Sequence, residues 1–191
     1  MSMLVRDPAG PVALAFPATG PRVRVRRLRA GDLAAFQAVR RDPDVGRWQG
    51  WTPTDDTAAA TFLAAMADGP WHRPGAWCQL AIAQAGTDAL IGDIGLGFPS
   101  EPMQPLEIGF SLARAAQGRG LAGEAVRLAL AAALHAGVAG GALAITDTRN
   151  AASIRLLERL GFHRARTEAA TFRGAPCEEH HYVLARLEDL T

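Results

Sequence analysis

The sequence is short of sulfur, of net charge and of unbroken hydrophobic runs, and each shortage removes a class of protein. Its two cysteines, Cys78 and Cys177, lie far apart and form no C-x-x-C pair. That excludes a disulfide framework and suits free thiols in a reducing compartment. With 20 basic and 19 acidic residues the formal charge is +1, too little for a general attraction to nucleic acid or anionic lipid. Any anion must therefore be bound locally. No cluster of histidines and acids has metal-ligand spacing, and the adjacent His180 and His181 would point to opposite faces of a strand, so no metal is expected. The longest apolar stretch, Leu128 to Ile145, is punctuated by His135, Gly137, Gly140 and Gly141, which reads as a helix end, a turn and a strand start, not as a membrane span. The weak apolar patch Val12 to Phe16 sits between Pro11 and Pro17 and lacks the basic start of a secretory signal. Residues 1–21 are expected to be a flexible arm on a cytoplasmic protein, with residues 22–191 forming a single domain and with neither nucleic acid nor membrane as partner.

What is present is the balance of an ordinary globular domain, 49% hydrophobic and 20% charged. "RVRVRRL" (22–28) alternates Val with Arg, the period of a strand with one wet face. "AGDLAAFQAVRRD" (30–42) switches to helical spacing, with Leu33, Phe36 and Val39 on one side. A second helix follows, with Thr54 as its expected N-cap and Gly69-Pro70 as its stop. Strands are predicted over 76–84, 89–98 and 106–113, the first two joined by a hairpin-length turn. Then come a helix over 120–137, a strand over 142–148, and a helix over 150–161 capped by Asn150 and ended by Gly161. Two last strands meet through "RGAP" (173–176). The order is βααβββαβαββ, a mixed α/β sheet in one domain.

The stretch with the strongest chemical signal is "QGRGLAGEAVRLAL" (117–130). Glycine lets a backbone approach an anion, and a helix N-terminus offers unpaired amides and partial positive charge, so the stretch reads as a phosphate-binding loop. The letters fit two such loops. Gly118, Gly120 and Gly123 match the G-x-G-x-x-G of a dinucleotide turn, with Asp147 downstream as the ribose acid. Gln117, Gly120 and Ala122 match Gln-x-x-Gly-x-Ala instead. A Walker loop is excluded, since no Gly-Lys-Ser/Thr follows. Context favours the second match: a dinucleotide glycine follows its strand almost at once, usually in the first crossover of the chain. Here several hairpin-linked strands precede it.

Taken together, "EIGFSLARAAQGRGLAGEAVRLAL", with Glu124-Ala125, and "NAASIRLLERLGF", with Asn150, Ser153, Glu158, Gly161 and Phe162, closely resemble the GNAT superfamily of acetyl-CoA-dependent N-acetyltransferases. Within it the likeness is to the RimJ/RimL-like branch, which acetylates ribosomal-protein N-termini, and it covers about residues 22–190. The resemblance implies a GNAT-like acyl-CoA N-acyltransferase fold, acetyl-CoA as co-substrate, and direct transfer to a primary amine on a protein N-terminus or a small molecule. It implies pyrophosphate on the amides of Gln117, Gly118, Arg119, Gly120, Leu121 and Ala122. The pantetheine arm would lie along Phe110, Ser111 and Leu112, with Gly109 suited to a bulge there. Arg114 or Arg119 is a candidate for a phosphate charge partner.

Further roles follow from the same resemblance. Asn150 caps its helix and is also placed to contact pantetheine; Ser153 would hydrogen-bond or protonate the departing thiolate, or else is a plain polar helix residue. Glu107 is the candidate general base, acting through water; the alternative is a solvent-facing strand acid. Asp147 is a second carboxylate on that side. The family tyrosine often found seven residues after the Asn is absent, with Leu157 in its place. That departure leaves open an acyl-CoA sensor without turnover. The four tryptophans, at 48, 51, 71 and 77, together with His72, either cap the first helices or wall an acceptor site. A homodimer is common in families of this kind.

Overall fold

A computed structural model describes residues 16–70, 72–101, 104–137 and 141–186. Eight strands form one sheet in the order β1-β2-β3-β4-β5-β6-β8-β7. They are β1 (Ala18–Thr19), β2 (Val23–Arg27), β3 (Trp77–Gln84), β4 (Leu90–Gly97), β5 (Leu106–Leu112), β6 (Ala142–Asp147), β7 (His163–Phe172) and β8 (Ala175–Leu184). The helices are α1 (Leu33–Arg41), the short α2 (Pro43–Gly46), α3 (Asp56–Asp68), α4 (Leu121–His135) and α5 (Ala151–Arg159). Every pairing is antiparallel except β5 with β6, the two strands linked through α4. None of the described helices is long and apolar enough to cross a membrane.

The expected order βααβββαβαββ is present, with two additions. Ala18–Thr19 pairs with β2 inside the segment read as an arm, and α2 follows α1 after Pro43 at its first turn. Residues 1–15 of that arm lie outside the described residues. Two local expectations are corrected. Asp55, not Thr54, caps α3, its carboxylate accepting from the Ala58 amide at 2.8 Å. The wet face of β2 is only half wet, because Arg26 is buried and binds both oxygens of buried Asp32 at 2.8 Å. Alternation predicts which way a side chain points but not whether a partner waits there.

Two cores cover the sheet. On one face α4 and α5 bury Leu121, Val126, Leu130, Leu157 and Leu160 against Val23, Ile82, Ile94, Leu106 and Ile108. On the other, α1 and α3 cover Ala81 and Leu90 with Phe36, Val39 and Leu63. The helical periods of α1 and α5 therefore do what an amphipathic stripe does, burying one side and leaving charges on the other. The half of the second face beyond β4, over β5, β6 and β8, carries none of these core residues.

Candidate functional site

Parallel pairing between β5 and β6 lasts for only two registers, Leu106 with Ala142 and Glu107 with Leu143. Beyond Glu107 the strands diverge. A cleft of about 520 Å³ opens between them, lined by β5 from Ile108 to Leu112, by Ala144 to Thr146 of β6, and by the starts of α4 and α5. The expected bulge at Gly109 is absent: β5 pairs residue for residue with β4 from Glu107 to Leu112. It is the departure of β6 that opens the sheet. The Leu106 amide bonds Gly141 on the β6 side and the Ala113 amide bonds Ile91 on the β4 side. By strand alternation the backbone groups of Ile108, Phe110 and Leu112 face the cleft. Side chains meet two of them: Gln49 Nε2 donates to the Phe110 carbonyl at 3.3 Å and Gln117 Nε2 to the Leu112 carbonyl at 2.9 Å.

At the far end of this edge lies the glycine loop. Gly118 and Gly120 take φ of +72° and +73°, the left-handed region that a Cβ disfavours. α4 begins at Leu121, and among the described residues the amides of Leu121, Ala122 and Gly123 meet no backbone carbonyl. That is the open first turn a phosphate needs. The Gln117 amide is not part of it, since it closes a 3₁₀ turn onto Arg114 (3.1 Å); the usable amides start one residue later than expected. Arg114 is likewise engaged, with Asp44 at 2.5 Å. Arg119 is exposed, and its carbonyl accepts from Arg22 Nη1 at 2.8 Å.

Behind the loop is a clamp that no local pattern announces. Glu124 accepts from the Arg22 amide (2.8 Å), Arg22 Nε (2.7 Å) and the Val23 amide (3.1 Å). Burial pushes its carboxyl up, but these donors outweigh it and hold the group below its usual range. A Cβ on Gly20 would stand 2.6 Å from Glu124 Oε1, so glycine there leaves the carboxylate its place.

α5 supplies the other wall. Asn150 caps it, Oδ1 accepting from the Ser153 amide at 3.2 Å, and both residues line the cleft. Leu157, where the family tyrosine would stand, is fully buried in the core and away from the cleft. The sequence missed Asp44, Gln49, Thr146 and Arg155, which also line the cleft, while Trp48, one of the tryptophans offered as an acceptor wall, does line it. The 47–51 segment is held by Arg173 at the β7–β8 turn, which donates to the carbonyls of Gln49 (3.1 Å) and Trp51 (2.7 Å). Ser111 lines the cleft, but its hydroxyl donates to buried Asp93, which also binds Arg40 at 2.6 Å.

On the sheet face away from α4, Glu107 stands at the last register before the strands part. Burial raises its carboxyl above the usual range; His181 opposes this and Glu179 adds to it. Among the described residues it has no ion-pair partner. His181 is buried on β8, its Nε2 at 2.7 Å from Glu168 Oε1 without the alignment of a hydrogen bond. Asp147, by contrast, is neutralised: Arg149 hydrogen-bonds both its oxygens at 2.8 and 2.6 Å and holds it below its usual range. It shapes a turn. The tryptophans divide as well. Trp48 lines the large cleft, Trp51 stacks on Arg40 at 4.3 Å, and Trp77 lies exposed on the sheet. Trp71 lies outside the described residues. His72 packs edge-on against Phe98 at 4.7 Å. No group of three metal-ligating side chains occurs among the described residues.

Comparison with known proteins agrees with this geometry. The profile of the acetyltransferase (GNAT) domain matches residues 22–163. No protein of curated function matches the chain. Among solved structures, a GNAT-family acetyltransferase from Bacillus anthracis superposes with a TM-score of 0.77 at 18% identity, over 90% of this chain and 98% of that one. Mycobacterium smegmatis RimJ, solved with CoA-disulfide, gives 0.72 at 20% identity over 88% of each chain. The ribosomal-protein-S5-alanine acetyltransferase of Vibrio fischeri gives 0.71 at 17% identity, over 91% of this chain and 97% of that one. At these identities the likeness is one of fold.

Proposed function

The chain belongs to the acetyltransferase (GNAT) family, and from that premise we propose that it is an acetyl-CoA-dependent N-acetyltransferase acting on a primary amine in a ternary complex. The observation that carries this reading is the continuity of the parted β5 edge with a positive-φ glycine loop that opens α4. A backbone edge with free valences suits an amide-bearing arm, and open helix amides suit a pyrophosphate. The co-substrate arm would replace the Gln49 and Gln117 side chains that now donate to the Phe110 and Leu112 carbonyls. RimJ, solved with CoA-disulfide, supports a CoA-type co-substrate by analogy of fold.

In this proposal Gly118 to Ala122 hold the phosphates, and the carbonyls and amides of Phe110 and Leu112 align the arm. Asn150 and Ser153 border its far side. Acetyl-CoA supplies an activated acetyl group when bound. An amine attacks only when neutral, so a base must take its proton; Glu107, at the last β5–β6 register before the cleft, has the raised affinity for a proton that suits this role. Ser153 offers its hydroxyl to the departing sulfur. A thiol with a pKa of about 8.5 leaves readily near neutrality, so this assistance is modest. The buried Leu157 is consistent with that, since no second acid lines this wall. The acceptor is a protein N-terminal amine, as in the RimJ/RimL-like branch, or a small amine.

Release of free thiol from acetyl-CoA, followed with a panel of primary amines, tests the reading. Acceptor-dependent thiol release is expected. Tight CoA binding with no release for any amine would instead favour the sensor that the absent tyrosine suggests, and binding of NAD in place of CoA would return the loop to its dinucleotide reading.

A further inference from the structure

A second, smaller cavity of about 190 Å³ lies on the sheet face away from α4, and one cross-strand row builds it. Trp77 on β3 pairs with Gly97 on β4, Gly97 with Glu107 on β5, and Glu107 with Leu143 on β6. All four line the cavity, with Phe98 and Pro105 at its rim. The indole lies flat across the strand beside it. A Cβ on Gly97 or Gly95 would meet Trp77 ring carbons at 2.9 and 3.0 Å, so glycine at both positions is what lets the ring lie down. Even so, 53% of Trp77 is exposed, the largest exposure of any big apolar side chain described. An aromatic face is thus held open beside a half-buried carboxylate.

The cavity adjoins the large cleft along β5 and β6, where Glu107 and Leu143 of the one precede Ile108 and Ala144 of the other. Gly109 shares the face of Glu107, two residues along β5, and lines the cleft. A Cβ there would meet nothing within 4 Å, so the passage from Glu107 to the parted edge is not blocked by a side chain at that position. Resting on the acetyltransferase reading, we propose that the Trp77–Glu107–Leu143 slot is the acceptor subsite and that it selects a primary amine carried on one apolar group of about a residue's size. The ammonium approaches Glu107 and the ring face of Trp77, which attracts a cation through its quadrupole. The apolar group fills the space against Leu143 and Pro105. Among the described residues Glu107 is the single carboxylate in the wall, so a polyamine's second charge would find no second carboxylate there. Transfer then joins the amine nitrogen to the acetyl carbon as the carbon–sulfur bond breaks. One proton of the ammonium passes to Glu107 before the attack; the electron pair of the broken bond leaves on sulfur, and the second nitrogen proton follows it to give the free thiol.

Steady-state kinetics with an arylalkyl monoamine, a short peptide with an apolar first residue, and spermidine tests this, with the protein and its Trp77→Ala and Trp77→Phe variants. The monoamine or the peptide is expected to be the better acceptor, and the two arms decide between a free amine and a chain terminus. Trp77→Ala should raise the acceptor KM roughly tenfold, while affinity for acetyl-CoA by calorimetry stays put, and Trp77→Phe should recover most of the loss. An unchanged acceptor KM in Trp77→Ala, or a preference for spermidine, overturns the subsite. Should no amine release thiol although CoA binds, the acetyltransferase reading itself fails. Calorimetry of the same amines against the CoA-loaded protein and Trp77→Ala then still decides whether the slot binds them.

Discussion

The glycine loop that follows β5 and the proposed acceptor slot built on β5 are made in opposite ways. The loop is contiguous: Gly118 to Gly123 carry the turn, the positive φ angles and the helix start in one run of chain. The slot is assembled from four strands, each contributing one residue at one register. Anion binding by backbone amides needs only a local conformation, so it can be written in a few letters. An aromatic face beside a carboxylate needs neighbours that are distant in sequence. A slip of one register would send Glu107 to the opposite face and dismantle it. The two also differ in electrostatic character. The loop's anchor, Glu124, is held ionised by its donors, while Glu107 is held toward the protonated form by burial.

Variants that separate donor affinity from turnover put this contrast to the test. Glu107→Gln should lower the acetylation rate by about 10²–10⁴-fold with CoA affinity intact. Full rate in that variant across pH 6 to 9 would show that Glu107 is not the base. Gly120→Val comes next: it forces a β-branched residue into φ +73° and puts a side chain where the proposal places the phosphates. It should weaken CoA binding by roughly a hundredfold or more, and unchanged affinity by calorimetry would sink the loop assignment.

The pH dependence has a definite sign. Because burial raises Glu107, the acidic limb of kcat/KM belongs above the ordinary glutamate value, with activity rising as the carboxyl ionises. This limb should vanish in Glu107→Gln. Glu124 behaves conversely. Its depressed folded value means that its stabilising contribution is present above the unfolded glutamate value and is lost as pH falls through the folded one. Glu124→Gln should lower stability by about 1–3 kcal/mol and soften the loop, seen as a lower Tm and a smaller loss of CoA affinity than Gly120→Val. The smallest effect is expected for Ser153→Ala, less than about tenfold in kcat near neutrality, because a thiolate leaves without much help. A larger loss would make Ser153 the essential acid.

Much of the chain was legible before its structure. Helical spacing placed Leu33, Phe36 and Val39 on one side of α1, and Phe36 and Val39 are buried there. Asn150 was recognised as a cap because capping is a contact with an amide three residues on. What escaped were contacts across the fold. Asp55 outranked Thr54 by a single position, since both are good caps and only the chain's entry angle chooses between them. Gly109 invited a bulge, yet β5 is regular, because the opening of the sheet is set by where β6 leaves. Arg22 with Glu124, Gln49 with Phe110, and Arg26 with Asp32 carry no periodic signature. The tryptophans were a cluster in sequence and proved to be three separate environments among the described residues.

By itself, then, the sequence determined the family, the element order and the glycine loop that opens α4. These rest on short-range physics: hydrophobic period, caps, and glycine at a helix start. Tertiary structure alone decided that Glu107 is half-buried without an ion-pair partner among the described residues while Asp147 is neutralised, and that Trp77 and Glu107 line one cavity while Leu157 does not reach the cleft. Those outcomes depend on strand register and on how far each group is withdrawn from water, which no neighbour in the chain dictates.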